Sequence, residues 1–434
     1  MKFKWSQYNI IVKQDYRETF LYNSFSGSFC KLQNSICEKM KAGYSEEDIY
    51  FNELLAQGLI VPAALDEFGR MLYVQRNHIW GSSETMRFVI APTLACNLEC
   101  IYCFERKCMQ KSNEPMGRTM NQVTMERTFH FIINLLQKSP EVKNLSINWF
   151  GGEPLMTTEI IVWLSDQLIR YCDSAGITYS SFMITNGTLL SHDVADALKS
   201  KCRVGKLQLT IDGTDTFYAR YKLAKGDALK ELIEYIEYAS KLFKIDIRMN
   251  TSVENRQAII EISKVLMLNK NILSSVVLYP AQITDCNHSD CHSLSDWEFE
   301  LFRRQFEAEL KPLRSANGTK SIERAKRAVF CASMKKNHYV IGPDGKIYKC
   351  EHEIGNKDQV VGDVIYGFYH NYAERQYSQV MYEPKCQQCA FFPFCFGGCP
   401  TSRIVYHKQV DCDAIYNRIL NKLEYEYIAG QHIK

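Results

Sequence analysis

The sequence has little net charge and no long apolar run. Its 52 basic and 49 acidic residues leave a formal charge of +3 over 434 residues, which gives no support for a nucleic-acid or membrane partner. No apolar run approaches the roughly 18 residues that a membrane span needs. The first eight residues, Met-Lys-Phe-Lys-Trp-Ser-Gln-Tyr, lack the apolar core of a signal peptide. We therefore expect a cytoplasmic protein that binds neither nucleic acid nor membrane.

Cysteine, in contrast, is abundant, with 17 residues. In a secreted chain this number would suggest disulfides, but there is no export signal, and the chain is far longer than a typical disulfide-dense scaffold. Thiols that hold metal clusters in a reducing compartment fit better. The length suits two or three domains.

Three of these residues, Cys96, Cys100 and Cys103, form a C-x3-C-x2-C triplet. Iron–sulfur clusters normally take four Cys ligands, so a three-Cys site would leave one iron of a [4Fe–4S] cube open for a small molecule. A structural zinc site is the alternative, but zinc takes four ligands and typically uses paired C-x2-C units.

Strand and helix patterns alternate after residue 85. Strands are predicted over 86–91, 145–150, 179–184, 206–211, 245–252 and 275–279, and helices over 121–138, 158–173, 191–200, 228–243 and 256–269. This alternation implies parallel β/α units, and six units suit a partial barrel rather than a full eight-unit barrel. The Cys loop, Gly-Gly-Glu-Pro at 151–154, Thr-Asn-Gly-Thr at 185–188 and Asp-Gly at 212–213 each follow a predicted strand. We therefore expect all four at the carboxyl edge, where parallel barrels build active sites.

The triplet and these strand-end motifs together resemble the radical S-adenosylmethionine (SAM) superfamily. The resemblance implies an α/β fold with a partial (β/α)6 radical SAM barrel, a [4Fe–4S] cluster on the triplet, and SAM chelating the open iron. It also implies cleavage of SAM to a 5′-deoxyadenosyl radical, with the protein supplying orientation and exclusion of water.

The same resemblance implies roles for residues around SAM. Glu153 would contact the methionyl amine, and Gly151 and Gly152 would allow the backbone to approach it, because Gly has no Cβ. The other candidates are aromatic or polar: Tyr102 along the adenine, Asn186 and Thr210 on the ribose or carboxylate, and Arg220 and Lys222 on the carboxylate. Relatives often have Arg at the Lys222 position. Strand capping or a surface salt bridge is the alternative for the polar candidates, and an ordinary core aromatic is the alternative for Tyr102.

A second group of cysteines lies in the C-terminal part, where a Pro-Asp-Gly turn signal joins two hairpin-like stretches at 338–341 and 346–349. Gly345-x4-Cys350 is followed by Cys386, Cys389, Cys395 and Cys399, spaced C-x2-C-x5-C-x3-C, and then by Cys412. This spacing resembles the SPASM domain, which carries up to two auxiliary [4Fe–4S] clusters. The resemblance implies a first auxiliary cluster on Cys331, Cys350 and Cys399, and a second on Cys386, Cys389, Cys395 and Cys412. The first could keep an open iron or recruit Cys286 or Cys291. A zinc ribbon on Cys386, Cys389, Cys395 and Cys399 is the alternative.

Residues 1–78 are predicted to form a separate domain, ahead of the barrel at 79–300 and the SPASM domain at 301–434. Strands over 8–12 and 19–23, followed by helices over 28–41 and 46–57, resemble a small winged-helix-like module similar to the quinone-maturation protein PqqD. Such a module binds a leader peptide as an added strand. A generic cap on the barrel is the alternative.

These resemblances predict a radical SAM maturase that abstracts hydrogen from a ribosomally made precursor peptide and closes a thioether or carbon–carbon crosslink. Flavodoxin or ferredoxin would supply electrons. An anaerobic sulfatase maturase that forms formylglycine is the alternative enzyme. Its general base is an Asp directly after the Cys that corresponds to Cys350, and here that position is Glu351, our candidate catalytic acid/base. A solvated hairpin residue is the alternative for Glu351. An electron carrier with several clusters would have no use for the SAM motifs.

Overall fold

The computed structural model describes residues 2–105, 117–223, 227–272, 276–283, 291–317, 329–379 and 382–428. The chain divides into two compact units. The terminal unit comprises Met1–Gly81, Ala325–Lys336 and Tyr377–Lys434, and the sheet unit comprises Ser82–Arg324 and Asn337–Gln376.

The N-terminal part of the terminal unit begins with an antiparallel sheet. Its elements are β1 (Phe3–Trp5), β2 (Asn9–Gln14), β3 (Glu18–Asn23), β4 (Phe29–Gln33), α1 (Asn34–Ala42), α2 (Phe51–Ala56), β5 (Ile60–Pro62) and α3 (Glu67–Trp80). Strands β2, β3 and β4 form a three-stranded sheet with β3 in the centre, and β1 pairs with β5.

The helix predicted over 28–41 is wrong at its start, because β4 occupies Phe29–Gln33 and pairs with β3. Cys30 and Leu32 of β4 pack on a hydrophobic cluster, while Lys31 between them forms an ion pair with Glu18 at 2.6 Å. This alternation of apolar and polar residues is the period of a strand. Of the helix predicted over 46–57, only Phe51–Ala56, which forms α2, is an α-helix.

The sheet unit is built on a ten-stranded sheet. Its strands are β6 (Thr85–Ile90), β7 (Asn144–Trp149), β8 (Thr178–Ile184), β9 (Val204–Thr210), β10 (Lys244–Thr251), β11 (Val276–Gln282), β12 (His338–Ile341), β13 (Lys346–Tyr348), β14 (Gly362–Asp363) and β15 (Gly367–Phe368). Strands β6 to β11 are parallel neighbours in chain order, which confirms the predicted alternating α/β core. Strand β12 adds to β6 in parallel, and β13 to β15 continue antiparallel.

Helices follow the parallel strands and cover one face of the sheet. They are α4 (Gln122–Gln137), α5 (Thr158–Ala175), α6 (His192–Ser200), α7 (Asp215–Lys222), α8 (Ala228–Ala239), α9 (Arg256–Leu268) and α10 (Asp296–Asn317). Alternate residues of β7, namely Leu145, Ile147 and Trp149, are buried in the main core with the helices. Successive side chains point to opposite faces of a strand, so the residues between them face the other side of the sheet.

The C-terminal part of the chain consists of short helices: α11 (Tyr372–Tyr377), α12 (Phe392–Cys395), α13 (Pro400–Ile404) and α14 (Cys412–Leu423), followed by the π-helical Glu424–Ile428. Within the described ranges, every helix is too short or too polar to cross a lipid bilayer.

The two ends of the chain share one core, which differs from the predicted separation of residues 1–78 and 301–434. Tyr22 of β3 stacks near Phe394 and Tyr427, with ring centroids 5.8 and 5.6 Å apart. Phe68 of α3 packs against Phe392 at 5.3 Å. The apolar face of the N-terminal sheet is therefore covered by C-terminal aromatic residues, a long-range contact that no local pattern reveals. The hairpin predicted over 338–349, in contrast, belongs to the sheet unit, where β12 pairs with β6 and β13 pairs with β12.

We predict that Phe392→Ala lowers the free energy of unfolding of the terminal unit by about 3–5 kcal/mol, because a fully buried aromatic side chain is lost. Because the core is shared, amide hydrogen exchange should accelerate in β2 to β4 as well as in α12. Tyr16→Ala, which changes an exposed residue between β2 and β3, is the matched control. Unchanged exchange in β2 to β4 with fast exchange in α12 would contradict a shared core.

Candidate active site

The cysteine triplet lies in the loop after β6, and this loop rests on the C-terminal end of α7. The backbone N–H groups of Glu99 and Ile101 donate to the carbonyls of Lys222 and Tyr221, at 3.2 and 3.0 Å. The last carbonyls of a helix have no partner within the helix. The end of α7 therefore supplies acceptors that hold the loop between Cys96 and Cys103.

The Gly-Gly-Glu-Pro loop after β7 docks against the same loop by backbone hydrogen bonds. Gly152 N–H donates to Thr93 O at 3.1 Å, and Glu153 N–H donates to Ala95 O at 2.8 Å. A Cβ would lie 2.2 Å from Thr93 O at Gly151 and 2.4 Å from Ala95 O at Gly152. Only glycine fits this approach, so the pair is more than a plain turn.

Glu153 connects this loop to the end of β8. Its side chain is fully buried. One carboxylate oxygen accepts from Leu155 N–H at 2.9 Å and Thr185 Oγ1 at 2.6 Å, and the other accepts from Asn186 N–H at 2.7 Å. Burial raises the pKa of Glu153, and these three donors oppose the increase. Glu153 thus joins two loops of the chain by hydrogen bonds. The sequence predicted only its contact with SAM and gave no sign of this structural role.

Asn186 brings the loop after β8 to the triplet. Its Nδ2 lies 3.8 Å from Cys96 Sγ and donates to Asn97 Oδ1 at 2.9 Å. Its own Oδ1 accepts from Thr188 N–H at 2.9 Å. The side chain predicted to contact SAM therefore lies beside the first cysteine.

Tyr102, between the second and third cysteines, is anchored at the ends of β9 and β10. Its hydroxyl donates to Asp212, and it accepts from Asn250 Nδ2 at 3.3 Å. Asp212 is fully buried and also accepts from Asn250 N–H at 2.8 Å. Asn255 Nδ2 donates to Asp212 O at 2.9 Å. Asn250 and Asn255 were not among the predicted site residues, although polar side chains at the end of a buried strand are a signal that the sequence contains.

Lys222 is a buried cation in the same network. It is 1% exposed, donates to Thr210 Oγ1, and lies 3.5 Å from Asp212 Oδ2. Burial lowers the pKa of Lys222, but Asp212 and Cys100 raise it more, so the group stays charged. Burial also raises the pKa of Cys100, which Lys222 opposes. Arg220, the other predicted carboxylate partner, is on the exposed face of α7.

A second hydrogen-bonded cluster, also missed, surrounds Glu254 beyond β10. Glu254 accepts from Ser252 Oγ at 2.7 Å and Tyr221 OH at 3.1 Å, and His292 Nδ1 lies 2.5 Å away. Burial favours the neutral carboxyl, but these donors outweigh it and lower the pKa of Glu254 to about 2. The cluster connects α7, whose end supports the triplet, to the segment after β11.

Glu351 is half-buried in the single 3-10 turn Glu351–Glu353, next to the buried Cys350. The neighbouring His352 stacks on Phe104, with ring centroids 4.0 Å apart. Because Phe104 directly follows Cys103, this stack brings the turn that carries Glu351 against the triplet loop. Sequence analysis did not identify His352.

Glu105, two residues after Cys103, is a further buried carboxyl that sequence analysis missed. Its Oε1 has no hydrogen-bond partner among the described residues. Burial, with a smaller effect of Glu153, raises its pKa to about 8. A mostly neutral carboxyl with an open acceptor therefore lies beside the triplet.

The C-terminal cysteines are divided between the two units. Four of them border one pocket in the terminal unit: Cys386, Cys389, Cys395 and Cys412. Cys399, which the zinc-ribbon alternative would use, is not among the described lining residues of that pocket. Of the other predicted set, Cys331 and Cys399 are in the terminal unit and Cys350 is in the sheet unit. Cys291 is buried and disulfide-bonded, and Cys286 lies outside the described residues.

Together, the donors around the triplet fit an iron–sulfur cluster with SAM. Three thiols come from one loop, and an amide, a buried cation and a buried carboxyl with an open acceptor surround them. Among the described residues, no three His, Cys, Asp or Glu side chains are grouped so that they could hold a single metal ion. The residues of four strand ends meet around the triplet, as expected of a parallel barrel.

Comparison with known proteins agrees with this geometry. Residues 90–266 match the family model of the Radical SAM superfamily. The radical SAM cyclopropyl synthase TigE of Paramaledivibacter caminithermalis is 26% identical over 263 residues, which is 54% of this chain and 53% of TigE. The cysteine-type anaerobic sulfatase-maturating enzyme of Clostridium novyi is 21% identical over 346 residues, 73% of this chain and 88% of that protein. The chain spans about half the length of the first two curated relatives it matches.

Solved structures show the same fold at low sequence identity. Native anSMEcpe with bound AdoMet and Cp18Cys peptide has a TM-score of 0.60 and 16% identity, over 80% of this chain and 98% of that chain. Streptococcus suis SuiB has a TM-score of 0.53 and 15% identity, over 94% of this chain and 97% of that chain.

The family match begins at the end of β6, just before the triplet, and continues into α9, so it includes every strand-end motif described above. SAM and an iron–sulfur cluster are the cofactors of that domain. Residues 90–266 therefore resemble the radical SAM domain in both sequence and strand-end geometry, and the chain is an enzyme similar to members of that superfamily.

Proposed function

We propose that this enzyme is a peptide maturase, which abstracts hydrogen from a ribosomally made precursor and closes a thioether or carbon–carbon crosslink. The observation that carries the proposal is the β2–β3–β4 sheet. Among the described residues, β2 and β4 each pair only with β3, so each keeps one edge of backbone donors and acceptors. An extended peptide can add to such an edge.

Strand β4 offers the better-defined edge. Two backbone hydrogen bonds flank β4. Asn23 N–H donates to Ser28 O at 2.8 Å before β4, and Asn34 N–H donates to Arg17 O at 2.9 Å after it. Hydrogen-bonded and non-bonded pairs alternate along an antiparallel ladder, so the N–H of Phe29, Lys31 and Gln33 is directed away from β3. A leader peptide would bind there, which is the role predicted for a PqqD-like module.

Likeness to solved structures supports a peptide substrate. The fold of anSMEcpe, whose structure includes a bound peptide, covers 80% of this chain, and the fold of SuiB covers 94%. The resemblance of the C. novyi enzyme over 73% of this chain keeps sulfatase maturation as a second candidate. Mass spectrometry separates the two, because formylglycine formation removes the sulfur of a substrate Cys and a crosslink retains it.

The residues of the site have definite tasks in this proposal. When bound, the cluster and SAM supply a 5′-deoxyadenosyl radical. Cys96, Cys100 and Cys103 would hold the cluster, and Tyr102 with Asp212 fixes the loop between them. Glu153 holds the loops after β7 and β8 together through its hydrogen bonds with Leu155, Thr185 and Asn186.

Two auxiliary clusters complete the proposal, on Cys331, Cys350 and Cys399 and on the four cysteines of the pocket. The second set is supported by one observation: its four cysteines border a single pocket, and four Cys ligands are the usual number for an iron–sulfur cluster. Flavodoxin or ferredoxin is the proposed electron donor.

Reconstituted enzyme should hold about twelve iron atoms per chain, three four-iron clusters. Changing Cys96, Cys100 and Cys103 to Ala should remove about four of them and all formation of 5′-deoxyadenosine, because the ligands of the SAM cluster are lost. Cys172→Ala and Cys202→Ala, which change buried core residues, are the controls and should keep both. About four irons with stoichiometric zinc in the unaltered enzyme would contradict the auxiliary clusters.

Lys31→Pro should weaken binding of the precursor about tenfold. It removes one outward N–H, a loss of about 1–1.5 kcal/mol, and Pro is tolerated on an edge strand. Fluorescence anisotropy of a labelled precursor encoded beside the gene would measure this. Lys31→Ala, which loses the ion pair with Glu18 but keeps the N–H, is the matched control. Equal weakening by both variants would show that β4 is not the docking edge.

Glu351→Gln tests the proposed acid/base role. It keeps the shape and removes the base, so crosslinked peptide should fall about 100-fold or more, while 5′-deoxyadenosine still forms. Asp358→Asn, on the exposed 3-10 turn Lys357–Gln359, is the control and should react normally. Normal crosslinking by Glu351→Gln would leave this residue with a structural role only.

A further inference from the structure

Polar groups border the four-cysteine pocket of the terminal unit. Glu383 N–H donates to Cys386 Sγ at 3.4 Å, and Tyr416 OH lies 3.3 Å from Cys389 Sγ. The side chain of Lys385 lines the same pocket as Cys412.

Both side chains are held in place by further contacts. Tyr416 follows Cys412 by four residues on α14 and so lies on the same helix face. Its ring stacks on Phe391, with centroids 4.5 Å apart. Lys385 Nζ also lies 3.3 Å from Glu383 Oε2. The hydroxyl is therefore fixed at the pocket by its ring, and the ammonium lies at the exposed border of the pocket beside Glu383.

Donors around the sulfurs favour the thiolate form of the cysteines over the neutral thiol. A neutral thiol is a weak acceptor, whereas a thiolate accepts strongly, above all from a cation. A phenol carries an O–H whereas a thiolate has no proton to donate, so the Tyr416 hydroxyl is the donor in its 3.3 Å contact with Cys389 Sγ. Hydrogen bonds to the sulfurs of an iron–sulfur cluster are among the factors that set its reduction potential.

We propose that Tyr416 and Lys385 are positioning residues that raise the reduction potential of a cluster held by Cys386, Cys389, Cys395 and Cys412. The reduced cluster carries one more negative charge than the oxidised cluster. A phenol that donates to a sulfur and an ammonium at the border of the pocket stabilise the reduced form more. The inference rests on the proposed second auxiliary cluster.

The test uses the full-length chain with Cys96, Cys100, Cys103 and Cys350 changed to Ala, so that the four pocket cysteines hold the remaining cluster. Iron, sulfide and zinc are measured after reconstitution, and the midpoint potential is then followed by electron paramagnetic resonance during a reductive titration. Tyr416→Phe keeps the ring on Phe391 and removes the hydroxyl. Lys385→Met removes the charge. Tyr382→Phe and Lys408→Met, which change residues outside the pocket lining, are the controls.

Each test variant should bind about four irons and favour the oxidised cluster at least tenfold, a 59 mV decrease in potential for a one-electron couple. Lys385→Met should have the larger effect, and the controls should match the parent. An unchanged potential with a full iron content would overturn the inference, as would loss of the cluster in Tyr416→Phe, since a tuning donor is dispensable for ligation. Zinc without iron in the parent would instead overturn the second auxiliary cluster, and the proposed function with it.

Discussion

The hydrogen bonds of the buried Glu153 carboxylate are the interaction on which the site depends. Three donors from the ends of β7 and β8 converge on it, and its own backbone N–H donates to the loop that carries the cysteines. An acceptor that is fully removed from water must find such partners inside the protein. Loss of this carboxylate would leave buried donors unpaired where three loops meet, so it would affect both the fold and the site.

A second set of contacts supports the triplet from the opposite side. Tyr102 reaches Asp212, and the end of α7 accepts two backbone hydrogen bonds from the loop. The charges there are balanced, because the buried Lys222 pairs with the buried Asp212. The cysteine loop is therefore fixed between β7 and β8 on one side and β9 and α7 on the other. Such preorganisation is what a site that controls a reactive radical requires.

Much of the sheet unit could be predicted from the sequence, because each parallel strand and helix has a local hydrophobic period and each motif follows a strand. Long-range contacts could not. No local pattern indicates that Tyr22 would pack against Tyr427, or that His352 would stack on Phe104. The strand Phe29–Gln33 was missed because a short alternating segment next to a helix is easily read as part of that helix. That Tyr416 and Lys385 line the pocket of the four cysteines could not be predicted, because it depends on how separate segments fold together.

Transfer of deuterium from the peptide to 5′-deoxyadenosine would identify the peptide as the hydrogen donor. A precursor deuterated at its non-exchangeable carbon positions would be incubated with reconstituted enzyme, SAM and reductant in ordinary water, and the 5′-deoxyadenosine analysed by mass spectrometry. A peptide maturase predicts deuterium in 5′-deoxyadenosine together with a modified peptide. Abundant 5′-deoxyadenosine without deuterium, from an unmodified precursor, would contradict a peptide as the molecule that gives up hydrogen.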